Sequence, residues 1–167
     1  GRPALCEPGA AANAAGTLLS GARRLHRSDG TPVNHHLGVS AFADYATVSR
    51  RSLVKVDNDL PLDEAALFGC AVLTGVGAVF NTARVPAGSS VAVIGLGGVG
   101  LSSLLGAVAA GARRIVAMDL SDEKLAFARD LGATDTFNAR NPDAVAEVKA
   151  ATGGGDEYAF ELAGSTR

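Results

Sequence analysis

Cysteine is scarce in this sequence, and basic residues are neither abundant nor clustered. Only Cys6 and Cys70 occur among the 167 residues, too few for a disulfide framework, so a reducing cytoplasmic location is the default expectation. The net charge is −2 and no long basic run occurs. Nucleic acid and membrane surfaces are therefore not expected as partners. No apolar stretch is predicted to reach the length that spans a bilayer, and Arg2, Glu7 and Pro8 interrupt any signal-peptide pattern at the start.

Apolar residues, in contrast, make up 47% of the sequence, which is sufficient for a buried core. The length allows one domain, or a small domain and part of another. The chain starts at Gly1 without a methionine and stops at Arg167, directly after a predicted strand. A doubly wound nucleotide-binding domain needs about six strands, whereas we predict four after Val85. We therefore expect an internal fragment that misses both ends.

A glycine-rich turn between a predicted strand and a predicted helix is the central motif. Val91–Ile94 is apolar and β-branched, which favours a buried parallel strand. Gly95, Gly97 and Gly100 follow in Gly-x-Gly-x-x-Gly spacing, and the small apolar residues of Leu101–Ala110 favour a helix. In this context the first glycine allows a tight turn, the second lets the backbone approach a pyrophosphate, and the third lets helix and strand pack closely. The helix N-terminus then offers unpaired N–H groups and a positive dipole end to phosphates.

A carboxylate follows at a position suited to binding a ribose. The predicted strand Arg114–Met118 leads into Asp119, which lies 19 residues after Gly100. A carboxylate there can accept hydrogen bonds from both hydroxyls of an adenosine ribose, and its charge would repel a 2′-phosphate. The pattern therefore predicts NAD(H) rather than NADP(H). The alternative is a structural set of turn glycines followed by a solvated loop aspartate.

The two halves of the chain have different patterns. The sequence before Pro61 is irregular and β-rich, whereas helix signals and then a regular β–α alternation follow it. Such alternation implies an α/β, doubly wound parallel sheet with helices on both faces. We place the domain boundary between residues 72 and 73, which gives domains at 1–72 and 73–167. The predicted elements are a loop at 1–15, strands at 17–27, 32–37, 42–48, 53–56, 91–94, 114–118, 134–137 and 158–162, a hairpin turn at 28–31, and helices at 61–70, 74–82, 101–110, 122–131 and 142–150.

Four stretches together resemble the zinc-containing, medium-chain alcohol dehydrogenase family. They are Gly1–Cys6, His35–Tyr45, Gly69–Ala78, and Val91–Gly100 with Asp119, and they follow one another in the order and at the spacing of that family. The resemblance covers almost the whole chain. It implies the C-terminal part of a β-rich, GroES-like catalytic domain, followed by an incomplete NAD-binding Rossmann domain.

The resemblance gives each cysteine a role in binding zinc. Gly1 and Cys6 match the end of a four-cysteine loop, so Cys6 is similar to the fourth ligand of a structural Zn²⁺. Cys70, in a Gly-Cys-x-x-x-Thr-Gly-x-Gly pattern, is similar to the third ligand of a catalytic Zn²⁺ whose other two ligands would lie upstream of Gly1. Zinc in such an open site acts as a Lewis acid on the substrate oxygen. From the residues alone, Cys6 reads as a free thiol and Cys70 as a small buried cysteine.

Further positions receive cofactor and substrate roles from the same resemblance. Thr74 matches a residue near the nicotinamide, and Val99 one that packs behind its ring. Lys124 matches a lysine that hydrogen-bonds the adenosine ribose, the alternative being a solvated lysine in the first turn of a helix. His36 and Leu37 align with the substrate pocket, although His36 departs from the apolar or aromatic residue of liver-type members and is otherwise a packed or surface histidine. The predicted cofactor-binding turn comprises Gly95, Leu96, Gly97, Gly98, Val99 and Gly100.

The resemblance implies an enzyme that transfers hydride reversibly from a primary or secondary alcohol to NAD⁺ and yields an aldehyde or ketone. It implies small-molecule substrates and a homodimer or homotetramer for the intact protein. It also implies that the segment alone is inactive, because two catalytic zinc ligands are missing. The alternative is a zinc-free medium-chain reductase or a non-catalytic dinucleotide-binding protein of the same two-domain build. Both cysteines argue against that branch, and Asp119 argues against an NADP-dependent reductase.

Overall fold

The computed structural model describes residues 6–39 and 42–165. The chain divides into two compact units, Gly1–Val56 and Asp57–Arg167. The predicted domain boundary between residues 72 and 73 falls inside the second unit and stays a prediction, because compactness does not identify a functional domain.

The described part of the first unit contains a helix, α1 (Glu7–Ala15), where the sequence predicted a loop. That prediction was wrong because it relied on the absence of an apolar period, whereas alanine, the strongest helix former, fills five of the nine positions. Pro8 lies in the first turn, where its missing N–H has no intrahelical acceptor to lose. The helix ends at Gly16, which adopts a left-handed conformation with φ of 67°.

A short hairpin follows α1. Strand β1 (Leu25–His26) pairs antiparallel with β2 (Pro32–Val33). In the turn between them the Asp29 carboxylate accepts a hydrogen bond from the Thr31 amide at 2.8 Å, which is the local bonding that makes aspartate favourable in turns. The predicted hairpin turn is confirmed, but both strands are much shorter than predicted.

No strand forms between residues 42 and 56 of the described chain, so the strands predicted there are wrong. The predictions rested on aromatic and β-branched content, yet Tyr45 and Val54 are 94% and 87% exposed. Such residues stabilise a strand only when a neighbouring strand and a buried face receive their side chains. The backbone forms a 3₁₀ turn at Arg50–Ser52 instead.

The second unit begins with one helical run, Leu62–Ala83, where the sequence predicted two helices. It consists of α2 (Leu62–Leu67), a π-helical segment, α3 (Leu73–Gly77) and a second π-helical segment. With 22 residues and a mean hydropathy of 1.6, the run is long and apolar enough to cross a membrane by length and composition alone. The expectation that no apolar stretch reaches that length was therefore wrong, because the run was predicted as two separate helices. A core helix of a soluble protein passes the same test.

A parallel sheet follows, and it confirms the predicted α/β fold class. Its strands lie in the order β5-β4-β3-β6, and all neighbouring pairs in it are parallel. A helix follows each of the first three strands along the chain, as the alternating pattern predicted. The bounds are β3 (Ser90–Ile94), α4 (Gly98–Ala109), β4 (Arg114–Asp119), α5 (Asp122–Asp130), β5 (Asp135–Asn138), α6 (Ala144–Thr152) and β6 (Tyr158–Glu161).

The core of the second unit lies around the two central strands. Val91 and Val93 of β3 are fully buried, as are Val116 and Ala117 of β4. Leu104 of α4 is fully buried against the same cluster. Continuous burial along a strand is typical of parallel sheets that are covered on both faces.

The chain reverses its direction of travel across the sheet between β3 and β6. It moves outward from β3 through β4 to β5 and then crosses back to pair β6 with the other edge of β3. Ligands of open α/β sheets bind outside the carboxyl ends of the strands at such a switch point. The fold therefore directs attention to the residues that follow β3 and β6.

Candidate functional site

The turn after β3 is fixed by both neighbouring strands. The Gly95 amide donates to the Met118 carbonyl at 2.8 Å, and the Leu162 amide donates to the Ile94 carbonyl at 2.7 Å. Gly95 has a φ of 92°, in the left-handed region that a side chain disfavours. A methyl group on Gly95 would also lie 2.5 Å from the Ala163 nitrogen. The first glycine of the motif is therefore required by backbone conformation and by the approach of β6.

The third and second glycines have different environments. A methyl group on Gly100 would collide with the Gly95 carbonyl oxygen, so this glycine permits α4 to start directly against the turn. A methyl group on Gly97 would meet no atom within 4 Å, and its φ of −78° is open to any residue. Neither the backbone conformation nor the packing therefore requires a glycine at this position. The absence of a side chain at Gly97 instead leaves the space in front of the turn free. No side chain caps the N-terminus of α4, so its first N–H groups are available to an anion.

Asp119, the last residue of β4, joins the ends of β3 and β4. Its Oδ2 accepts a hydrogen bond from the Leu96 amide at 2.7 Å, and its Oδ1 accepts one from the Ser121 amide at 3.0 Å. The Lys124 Nζ lies 3.9 Å from Oδ2. The side chain is only 13% exposed. The structure therefore brings the predicted ribose-binding carboxylate and lysine together, directly beside the glycine turn.

The protonation of Asp119 follows from these contacts. Burial by itself raises the pKa of this carboxyl. Hydrogen bonds from the Leu96 and Ser121 amides, together with the Lys124 charge, outweigh burial, so the pKa lies below its ordinary value. Asp119 is therefore ionised at neutral pH.

An open cleft of about 620 Å³ lies in front of these groups. An ionised carboxylate offers about four positions that accept hydrogen bonds. The hydrogen bonds from the Leu96 and Ser121 amides occupy two of them, and the others remain for hydroxyl groups in the cleft. The cleft receives residues from the ends of β3, β4, β5 and β6, as expected at a switch point. Its lining comprises Ile94, Gly95, Leu96, Gly97, Met118, Asp119, Leu120, Lys124, Ala139, Glu161, Leu162, Ala163 and Ser165.

The helical run packs against the start of α4 and carries two predicted site residues there. A methyl group on Gly75 would collide with the Val99 carbonyl oxygen. The Ser103 hydroxyl donates to the Gly75 carbonyl at 3.2 Å. Thr74 is the residue before Gly75, and its role near the nicotinamide stays a prediction.

Cys70 belongs to the same helical run. A methyl group on Gly98 would lie 3.4 Å from the Cβ of Ala71, so the residue after Cys70 is next to the glycine turn. The Cys70 side chain is exposed rather than buried, and it forms no disulfide. The alternative of a buried core cysteine is therefore wrong for Cys70 in this structure.

The described residues do not by themselves assemble a zinc site. Across 6–39 and 42–165, no group of three His, Cys, Asp or Glu side chains is arranged to hold a metal ion. Cys6 is an exposed cysteine at the start of α1, and its predicted companion Gly1 lies outside the described residues. A tetrahedral thiolate site needs further ligands. The residues present therefore fit a dinucleotide but not a complete metal centre.

The two predicted substrate-pocket residues lie in the first unit. Leu37 has a φ of 52°, which is uncommon for a residue with a side chain, and its amide donates to the Asn13 side-chain oxygen at 2.8 Å. Leu37 is 67% exposed, and His36 is the residue before it. Ser40 and Ala41, which belong to the same resembling stretch, lie outside the described residues. The substrate roles of His36 and Leu37 stay predictions.

Several residues near the cleft were not predicted. Leu120 and Ala139 line it, and so do the residues that follow β6. Asn138, at the end of β5, hydrogen-bonds the turn that follows Asp119. The signal that would have found them is positional, because the carboxyl ends of parallel strands meet at one edge of a sheet.

Comparison with known proteins places these features in a family. A family model described as zinc-binding dehydrogenase matches residues 98–167. A class-3 alcohol dehydrogenase of Oryza sativa subsp. japonica is 38% identical over 167 residues, which are 99% of this chain and 44% of that relative.

Solved structures give the same result. An alcohol dehydrogenase zinc-binding domain protein from Burkholderia ambifaria is 35% identical with a TM-score of 0.80, and the match covers 99% of this chain and 48% of that one. The benzyl alcohol dehydrogenase of Acinetobacter calcoaceticus is 40% identical with a TM-score of 0.75 over 83% of this chain and 40% of that one. The chain thus spans less than half the length of these relatives.

Proposed function

Since this chain belongs to the zinc-containing medium-chain alcohol dehydrogenase family, we propose that its second unit binds NAD(H) for reversible hydride transfer between an alcohol and an aldehyde or ketone. The observation that carries the proposal is the arrangement of Asp119. Its carboxylate is held by the Leu96 and Ser121 amides, beside a turn whose Gly97 faces open space.

Each part of the cleft has a role toward the dinucleotide. The backbone at Gly97 and the N-terminus of α4 bind the pyrophosphate, because N–H groups and the positive end of the helix dipole favour an anion. Asp119 accepts hydrogen bonds from the adenosine ribose hydroxyls, and Lys124 supplies a further donor. Thr74 and Val99 lie on the nicotinamide side. The bound nicotinamide supplies the carbon that accepts or donates the hydride.

The charge of Asp119 favours NAD(H) over NADP(H). Its lowered pKa keeps it ionised at neutral pH, and a 2′-phosphate would introduce a second anion at the same place. Lys124 already lies 3.9 Å from Asp119, so part of its charge is offset there. We expect the full-length protein to bind NADH at least about tenfold more tightly than NADPH, a difference of about 1.4 kcal/mol.

Titration of the full-length protein with NADH and NADPH tests this. NADH fluorescence and calorimetry both report binding without turnover. Asp119→Ser is expected to weaken NADH binding and to reduce the preference over NADPH. Glu123→Ser is a control that removes an exposed carboxylate from the first turn of α5 without removing this acceptor. Equal affinity for the two cofactors in the unaltered protein would contradict the proposal.

We also propose that Cys70 donates a thiolate to the catalytic Zn²⁺ and Cys6 one to the structural Zn²⁺, with the remaining ligands supplied by parts of the protein outside this chain. Elemental analysis of the dialysed full-length protein is expected to give two zinc ions per subunit. Cys70→Ala and Cys6→Ala are each expected to remove one. A metal content of zero would favour the zinc-free reductase alternative and would leave the dinucleotide proposal intact.

The remaining predictions concern the intact protein. We propose small alcohols, aldehydes or ketones as substrates, a homodimer or homotetramer as the assembly, and the cytoplasm as the location. Inactivity of the segment alone follows from its incomplete metal ligands. A turnover assay of the full-length protein with a panel of alcohols and NAD⁺ tests the reaction class, and absence of turnover across the panel would overturn it.

A further inference from the structure

Asn138, the last residue of β5, connects two loops at the rim of the cleft. Its Nδ2 donates to the Asp122 Oδ1 at 2.6 Å and to the Leu120 carbonyl at 3.4 Å. Its Oδ1 accepts a hydrogen bond from the Arg140 amide at 2.9 Å. One side-chain amide therefore ties the β4–α5 turn to the β5–α6 loop.

We propose that Asn138 is a positioning residue that holds the turn Leu120–Asp122, and that it thereby sets how strongly Asp119 discriminates at the adenosine 2′ position. The inference rests on the proposed binding of NAD(H) in this cleft. Asn138 itself is not among the residues that line the cleft, so it acts through the turn.

The backbone and the side chain of Asp119 are fixed by different contacts. Asp119 is paired with Asn138 in the β4–β5 register, and its carbonyl accepts a hydrogen bond from the Ala139 amide at 3.0 Å. Those contacts hold the main chain. The carboxylate, however, is oriented by the Leu96 and Ser121 amides, and Ser121 belongs to the turn that Asn138 holds.

This division predicts a local effect. When the Asn138 side-chain amide is removed, Leu120 and Asp122 lose the hydrogen bonds that they accept from it. The backbone amide of Ser121, which lies between them, is then less well fixed. The Asp119 carboxylate then loses part of its orientation toward the ribose. The pyrophosphate position is expected to be unaffected, because the start of the glycine turn is held by the bonds Gly95 to Met118 of β4 and Leu162 to Ile94, and not by Asn138.

The simpler interpretation is that Asn138 only shapes its own loop. An asparagine side chain that accepts from the amide two residues later is a common local turn, and the bond from Arg140 has this form. That role uses Oδ1 alone. The two bonds from Nδ2 cross to another loop, so Asn138→Asp separates the roles: it retains the acceptor for Arg140, removes the donor and places a carboxylate against that of Asp122.

The experiment measures the affinity of the full-length protein for ADP-ribose and for the analogue that lacks the adenosine 2′-hydroxyl, by calorimetry. In the unaltered protein we expect ADP-ribose to bind about tenfold more tightly, since a hydrogen bond to a charged acceptor is lost in the analogue. Asn138→Ala and Asn138→Asp are expected to reduce this ratio to about threefold or less, with the affinity for the analogue changed by less than about twofold.

Asn141→Ala is the matched control. The Asn141 Nδ2 donates to the Glu147 Oε1 at 2.9 Å, so the same side chain is removed from the same loop without touching the Leu120–Asp122 turn. The ratio is expected to stay as in the unaltered protein. Asp122→Asn provides the conservative partner, because its amide oxygen still accepts from Asn138. Asp122→Ala is expected to lower the ratio as Asn138→Ala does.

The outcomes are distinguishable. An unchanged ratio in Asn138→Ala and Asp122→Ala would overturn the positioning role, and so would an equal loss of affinity for both ligands, which indicates a structural role only. If either Asn138 variant fails to fold, Asp122→Ala reports on the same contact from its other side. If the unaltered protein binds neither ligand, the proposed dinucleotide function fails and the inference about Asn138 fails with it, whereas an unchanged ratio in a protein that binds ADP-ribose overturns the inference alone.

Discussion

The two ends of the parallel sheet both carry carboxylates, but they use them differently. At the carboxyl end, Asp119 is bound by two backbone amides and still has acceptor positions facing an open cleft. At the amino end, acidic and basic side chains bind one another and the backbone. The pKa of the carboxyl group is lowered at Asp119 and raised at Asp156.

The amino end serves to hold strands and loops together. The Arg114 Nε lies 3.2 Å from the Asp135 Oδ2, which links the starts of β4 and β5, and the guanidinium also donates to the Ala151 carbonyl at the end of α6. The Ser90 amide donates to the Glu157 Oε2 at 2.6 Å, which links β3 to the residue before β6. These groups satisfy one another rather than a ligand.

Asp156 is the exception at that end. Its Oδ1 is buried and has no hydrogen-bond partner among the described residues. Burial raises the pKa of this carboxyl by more than the Ser90 hydrogen bond and the Arg114 charge lower it. The comparison teaches that a shifted pKa locates the functional end of the sheet only when its cause includes groups that preorganise the charged form beside a cleft.

The largest effect is expected from adding one methyl group to the glycine turn at the carboxyl end. Gly100→Ala would force the new methyl into the Gly95 carbonyl oxygen, and we expect the loss of about 3 kcal/mol or more of unfolding free energy. Urea denaturation measures it. Gly97→Ala meets no atom within 4 Å, so it should fold normally and bind NADH at least about tenfold more weakly. Equal stability of the two variants would contradict this assignment.

An intermediate effect is expected at the amino end. Arg114→Met removes the ion pair with Asp135 and the bond to Ala151, and its side chain is only 32% exposed. We expect a loss of about 1 to 2 kcal/mol of unfolding free energy. NADH affinity should stay within about twofold, and a larger change would show that the two ends are coupled. Arg113→Met, at the exposed neighbouring position, is the control and should cost less than about 0.5 kcal/mol.

The third prediction uses the pH dependence of Asp119. Its pKa is lower in the folded protein than in the unfolded chain, so its contribution to stability is present above the unfolded value of about 3.9 and is lost as the pH falls through the lower folded value. Affinity for ADP-ribose should therefore be constant from neutral pH down to about 5. Calorimetry at a series of pH values measures it. A decline in affinity centred near pH 6 that is absent in Asp119→Ser would contradict a lowered pKa.

The smallest effect is expected at Asp156. Because its pKa is raised in the folded protein, the ionised form costs stability above the folded pKa, and this cost disappears as the pH falls below the unfolded value of about 3.9. Asp156→Asn should therefore raise the unfolding free energy at pH 7 by no more than about 0.5 kcal/mol, which thermal denaturation detects as a slightly higher Tm. The advantage should vanish in acid, where both side chains are neutral. Destabilisation at pH 7 would mean that attraction to Arg114 outweighs burial.

The sheet was predictable because its signals are local. Val91–Ile94 is a continuous apolar run beside a glycine turn, and each later strand is separated from the last by a helix-length segment. The strands of the first unit were not predictable in the same way, because a residue such as Tyr45 marks a strand only when another strand covers it. The continuity of the helical run was also missed, because two separate helices were predicted, whereas a π-helical segment at Phe68–Val72 joins them.

The candidate site was predictable in part for the same reason. Gly97 and Asp119 are found by spacing, and the structure places both at one cleft. Asn138 carries no such signal, because its importance depends on its register opposite Asp119 in a neighbouring strand. An asparagine before a loop is common, and the contacts it makes across the sheet appear only after the strands are paired.

The contacts of the glycine turn also bear on how such sequences diverge. Gly95 and Gly100 are required by the packing of the strand, the helix and each other, so selection for a folded chain is sufficient to retain them. Asp119 also bonds the Leu96 and Ser121 amides, whereas no packing contact requires a glycine at Gly97. If the proposed cofactor site is correct, a lineage that stopped using the cofactor should keep the outer two glycines while the middle glycine drifts. The two outer glycines would then still indicate common descent after the ligand had been lost, so they are not by themselves evidence of nucleotide binding.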